Sequence, residues 1–233
     1  ARGGAGATAP PAGVPGILPG TVPSLAPTRP ALAAQRVWPT TAGAPLRTWI
    51  GVGGSPQSVV RAARHGLPLV LAIIGGDPRR FAPYVALYRR ELAARGLPAL
   101  PIAVHSPGHV AATDEEARER LWPAYRAMHD RIGGERGWPP LSREAYEHEI
   151  AHGSLYVGSA ETVARKIAAT VSALGLARFD LKYSAGTLSH AAMCDCIARY
   201  GREVAPRVRA LMERRDQGTG IRDQPASPLS ADR

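Results

Sequence analysis

Between Arg47 and Leu211, short apolar runs alternate with amphipathic segments, and a glycine, proline or capping residue marks most of the joins. This alternation restricts the chain to an α/β fold with parallel strands, because each helix must return the chain to the same end of the sheet. Residues 47–52 read as the first strand. Ser55 caps a helix that starts at Pro56, runs to His65 and stops at Gly66. Residues 67–74 are almost continuously apolar, as in a strand buried on both faces. Asp77-Pro78 opens a helix with Phe81, Val85, Tyr88 and Leu92 on one side, ending at Gly96. The next strand is 102–105.

Thr113 and Glu116 form a capping box ahead of a helix carrying Ala117, Leu121, Tyr125, Met128 and Ile132, with Pro123 as an expected kink. A loop over 133–141, a helix over 142–152 and a strand over 155–157 follow. Ser159 caps a helix with Val163, Ile167, Val171 and Leu174 inward, and 179–183 is the last strand. A closing helix spans about 191–212. It has Met193, Ile197, Tyr200, Val204, Val208 and Leu211 inward and a bend at Pro206. A doubly wound sheet and a (β/α) barrel both fit this order, but four or five strands fall short of the eight a full barrel needs.

The ends differ from this body (46–212). Residues 1–45 hold nine prolines and seven glycines, no acidic residue and no sustained period, and read as a disordered low-complexity leader. Residues 213–233 read as a polar tail. No apolar run approaches the ~18 residues of a membrane span, so no membrane association is expected. The net charge of +10 invites a nucleic-acid reading, but the excess is scattered arginine. Only Lys166 and Lys182 are lysines, later arginines alternate with Glu, and no basic stripe is interleaved with aromatics. Nucleic acid is therefore not an expected partner. Cys194 and Cys196, two apart in a helix, point to different faces and read as reduced thiols of a cytoplasmic protein.

Three strand exits end in glycine. Gly53-Gly54-Ser55 is the most suggestive: the free N–H groups of a helix start, approached past two residues without side chains, suit a phosphate. The plainer alternative is a well-capped turn that binds nothing. Gly75-Gly76 and Gly158-Ser159 could serve likewise, and at both a simple turn or helix start is favoured. His105 and His109, flanking Ser106 at the end of a strand, are candidates for a proton shuttle, with His105 the single catalytic candidate. The alternative is two loop histidines packed at a rim. They lack a third partner, so no metal site is expected. Lys182 reads as solvent-facing, and Trp122, Tyr125 and Met128 as core.

The block from Ile50 to Pro56 and then Ala62 to Leu69 resembles the bacterial luciferase-like monooxygenase family. So do Val110 to Ala117, Tyr156 to Ile167, and Gly201 to Val208. The likeness runs from about Leu46 to Leu211 with its motifs in family order, although Ala160 stands where the family usually has proline. It implies the C-terminal part of a TIM barrel, an α/β fold left incomplete because the first barrel half has no counterpart. It further implies a flavin-dependent oxidoreductase using reduced FMN, or in some branches a deazaflavin coenzyme. Dioxygen and a small organic substrate would be the reactants, a flavin reductase a partner, and a homodimer the assembly. Gly53, Gly54 and Ser55 would then contact the flavin phosphate. The rival readings are a non-catalytic barrel remnant and another phosphate-binding α/β enzyme.

Overall fold

The structure is a computed structural model that describes residues 46–219. The leader assigned to 1–45 and the tail beyond 219 lie outside these residues. The described residues from Trp49 onward form one compact unit. Its strands are β1 (Ile50–Val52), β2 (Leu69–Ala72), β3 (Ile102–Val110), β4 (Tyr156–Gly158) and β5 (Arg178–Lys182), all parallel. The helices are α1 (Pro56–Arg64), α2 (Ala82–Ala94, preceded by a 3₁₀ turn over Pro78–Phe81), α3 (Asp114–Arg136), α4 (Arg143–Ala151), α5 (Ala160–Leu174), α6 (His190–Arg199) and α7 (Ala205–Thr219).

β1 pairs with β2 and β2 with β3, while β3 also pairs with β5 along Ala103–Pro107 and with β4 along Gly108–Val110. The expected α/β architecture is present, and the sheet does not close into a cylinder among the described residues. Val52, Leu69, Leu71, Ile73, Ile102 and Val104 point to one face, where they pack with Val59, Ala62 and Ala63 of α1 and Val85, Tyr88 and Leu92 of α2. A second cluster joins Val110 and Tyr156 to Val163, Ala164 and Ile167 of α5 and to Cys196 and Val204. A third gathers Leu121 of α3, Tyr146 and Ile150 of α4, and Val157. Of the intervening strand positions, Gly51, Ala72, His105 and Asp180 are small or polar and at least partly exposed, whereas Val70 is apolar and Ala103 is buried. Strand alternation puts them on the face that a closed barrel turns inward. No helix among the described residues is long and apolar enough to cross a membrane.

Three elements depart from the sequence reading. β3 continues five residues past its expected end at His105, through the Ser106-Pro107-Gly108 run to Val110. Ile73 N–H donates to His105 O, so the next rung of a parallel ladder would bring the residue-107 N–H to Ile73 O. Proline has none, and the buried Ser106 hydroxyl donates to Ile73 O instead, at 2.8 Å. α3 runs on through Gly133-Gly134 to Arg136 and contains Pro123. That proline lies on the exposed side, where water can satisfy the carbonyl it leaves free. The closing helix is interrupted by a π turn over Tyr200–Val204, just before Pro206. Its extra residue shifts the phase, so Ile197, expected inward, is 47% exposed and Cys196 is buried in its place. The helix also extends to Thr219, beyond the expected start of the tail.

Candidate functional site

Five helix starts with capping side chains stand at the C-terminal ends of the strands: Ser55, Asp77, Thr113, Ser159 and Ser189. In parallel α/β sheets this is the edge at which ligands bind. The three glycine exits on it look alike in sequence, but their hydrogen bonding separates them.

At the β4–α5 turn, the Asp114 carboxylate accepts from Ser159 N (2.6 Å) and from the Thr162 hydroxyl (2.9 Å). Burial alone would raise the Asp114 carboxyl, but the bonds from Ser159 and Thr162, with Arg118 nearby, hold it below the usual carboxylate range. After β2, Gly76 N donates to both oxygens of Glu149 (3.0 and 3.1 Å). Ser154 N joins the same carboxylate at 3.2 Å. Each of these nests thus holds an anion from the chain itself. They are structural turns, as the sequence reading favoured.

The Gly53-Gly54-Ser55 exit differs. α1 has no acidic residue in its first turn, and among the described residues no carboxylate bonds to this loop. Ser55 caps the helix, its hydroxyl accepting from Ser58 N at 3.4 Å and donating to Gln57 Oε1 at 3.0 Å. Ser58 N and Val59 N also donate to Ser55 O. Gly54 has φ +119°, a backbone that L side chains rarely adopt, and the Tyr84 hydroxyl pins its carbonyl at 2.9 Å. A Cβ added at Gly53 would meet no atom within 4 Å, so the approach to these amides is open. The arrangement is a helix N-terminus that suits an external anion.

His105 is half-buried on β3, in register with Ala72 on β2 and Asp180 on β5. Since Leu71, one residue earlier, pairs with Val52, His105 stands level with Gly53, two strands and about 10 Å across the sheet. The Asp180 carboxylate is held by Arg178 Nε at 2.8 and 3.0 Å. His109, grouped with His105 in sequence, is separated from it here. It is fully buried beneath α3 and α6, and neither ring nitrogen has a partner among the described residues. Burial pushes its pKa down to about 4; Arg120 adds to that shift, while Asp195 and Glu116 oppose it. Lys182 is half-buried and donates to Ser184 O at 2.8 Å. Trp122, Tyr125 and Met128 pack onto the third core cluster as expected. Cys194 is exposed and Cys196 buried, and both are free thiols.

The buried His109 sets an acid limit on the fold. An unfolded histidine titrates near 6.5, so between roughly 6.5 and 4 the unfolded chain takes up a proton that the folded chain refuses. Stability is therefore full above about pH 6.5 and falls as pH drops through this window, by about 2–3 kcal/mol. Urea midpoints measured from pH 7 to 5, above the range where carboxylates titrate, should drop in the native chain and stay flatter in His109→Leu. Equal slopes would remove His109 as the cause.

The profile of the luciferase-like monooxygenase family matches residues 24–178. The match begins upstream of Leu46, where the sequence likeness was placed, and stops before Leu211. No curated protein sequence matches the chain. Among solved structures, the monooxygenase RslO1 from Streptomyces bottropensis superposes with a TM-score of 0.56 at 20% identity, over 70% of this chain and 48% of that one. The oxygenating constituent of 3,6-diketocamphane monooxygenase from the CAM plasmid of Pseudomonas putida, solved with FMN, gives 0.52 at 20% identity over 69% and 48%. EDTA monooxygenase from Chelativorans sp. BNC1 gives 0.50 at 18% identity over 73% and 45%. The chain thus spans about half the length of these structures. With more than half of its residues inside the family match, the chain belongs to the luciferase-like monooxygenase family.

Proposed function

We propose that this chain is the phosphate-binding, C-terminal part of a flavin-dependent monooxygenase barrel that oxidises a small organic substrate with dioxygen. The observation that carries the reading is the contrast among the three glycine exits. Two hold carboxylates of the chain, and only Gly53-Gly54-Ser55 presents helix-start amides to an outside anion. FMN fits such a nest through its phosphate, and the FMN-bound diketocamphane monooxygenase supports this choice over a deazaflavin coenzyme. When bound, reduced FMN would supply the two electrons with which dioxygen delivers one atom to substrate and one to water. The backbone at Gly53 and Gly54 and the Ser55 hydroxyl would hold the phosphate. The small residues Gly51 and Ala72 leave room on the inward face of the sheet, and the half-exposed His105 imidazole is the group there able to take or return a proton. A flavin reductase is the expected source of reduced FMN.

Because the chain spans about half of its structural relatives, flavin uptake by the chain alone should be weak. Joined to an N-terminal barrel half from a family member, it should yield a yellow protein. In that fusion Ser55→Ala should weaken FMN binding about tenfold, the value of one charge-assisted hydrogen bond. Riboflavin, which has no phosphate, should bind equally to both forms. FMN affinity unchanged by the substitution would remove Ser55 from the site.

A further inference from the structure

The last turn of α4 and the residue after it read His148-Glu149-Ile150-Ala151-His152. Positions four apart lie on one side of a helix, and here both imidazoles line a cleft of about 500 Å³ together with Asp77, Arg79 and Lys166. The ring centroids of His148 and His152 are 5.0 Å apart. An ion about 2.0–2.1 Å from one nitrogen of each ring lies about 3.2 Å from each centroid, and a tetrahedral angle at the ion then separates the centroids by about 5 Å. The observed centroid spacing therefore accommodates a two-imidazole chelate when one nitrogen of each ring turns toward the ion. We infer that His148 and His152 form a binding site for a divalent transition-metal ion of the zinc, nickel or copper type.

The surroundings narrow the chemistry. The intervening Glu149 is committed, its carboxylate holding Gly76 N and Ser154 N, and an added Cβ at Gly153 would collide with it. It is thus not free to act as a base on metal-bound water, so the site is not that of a peptidase despite the spacing. Asp77 is paired with Arg79, and the Lys166 ammonium is taken up by three carbonyls. The cleft carries both signs of charge and no surplus of carboxylate. Attraction must therefore come from imidazole nitrogen, which selects zinc, nickel or copper over magnesium and calcium. No group of three or more His, Cys, Asp or Glu side chains surrounds a metal position among the described residues. Water would complete the shell and the ion would exchange readily. Because Glu149 ties α4 to the loop after β2, an ion here would stiffen the edge of the sheet next to the proposed flavin site.

The test is calorimetric titration of the 233-residue chain with Ni²⁺, Zn²⁺ and Mg²⁺, repeated on His148→Ala, His152→Ala and the control Cys194→Ser. The control is needed because His190 and Cys194 form a second four-apart pair, with Sγ and Nε2 at 3.4 Å. Ni²⁺ and Zn²⁺ should bind once per chain, each histidine variant should weaken them about tenfold or more, and the control and Mg²⁺ should show no such effect. Both histidines are exposed, so metal-free melting temperatures should match across the variants. Absence of binding, affinity kept in either histidine variant, or loss only with Cys194→Ser would overturn the assignment.

Discussion

Gly108→Ala should lower stability by about 3 kcal/mol, and the melting temperature by roughly 6–12 °C for a domain of this size. Gly108 pairs in register with Tyr156 at the point where β3 leaves β5 and takes up β4. A Cβ placed there lands on the Tyr156 carbonyl oxygen and within 2.5 Å of Leu181 Cδ1. The end of the Leu181 side chain can give way, but the first obstacle is backbone of β4, which can move only by disturbing its pairing with β3. Larger residues should do worse, in the order of their volume. A Gly108→Ala protein that melts with the native one would mean that β3 and β4 are not in contact as described.

Lys166→Met should cost a similar amount, for a different reason. The last carbonyls of α4 have no partner within the helix. Lys166 Nζ donates to Glu149 O at 3.3 Å, Ile150 O at 2.5 Å and, just before β4, Leu155 O at 2.9 Å. Burial draws the ammonium pKa down to about 8 against the opposing charge of Glu149, a sign that the group is removed from water. Methionine keeps the length and apolar contact of the stem but takes this donor from Ile150 O and Leu155 O, at about 1–2 kcal/mol each, while Glu149 O still accepts from Gly153 N. Chemical denaturation should show a loss of about 3 kcal/mol, and limited proteolysis should cut first between α4 and β4. An unchanged denaturation midpoint would show that solvent replaces the ammonium at no cost.

Much of the scaffold was readable because its signals are local. Ser55, Asp77, Thr113 and Ser159 each cap the helix start that their place before an apolar period implies. The capping box closes too, with Glu116 N on the Thr113 hydroxyl and the Glu116 carboxylate on Ala112 N. What escaped depends on distant partners. β3 runs through Pro107 only because Ser106 can reach Ile73 on the neighbouring strand. The phase of α6 against α7 is set by a π turn that no spacing of apolar residues reveals. The candidate site divides in the same way. Gly53-Gly54-Ser55 is legible as an anion nest, but so are Gly75-Gly76 and Gly158-Ser159, and their occupation by Glu149 and Asp114 comes from 73 and 45 residues away. His148 and His152, by contrast, were within reach of sequence reasoning, as two histidines four apart in a segment already read as helix.

The open nest at Gly53-Gly54-Ser55 is the central claim, and amide-resolved NMR of the chain titrated with inorganic phosphate tests it most directly. The amides of Gly53, Gly54, Ser55 and Gln57 should shift together and saturate, while those of Gly76 and Ser159, already bonded to carboxylates, stay in place. Shifts centred on Gly76 or Ser159, or none at the first loop at millimolar phosphate, would contradict the account.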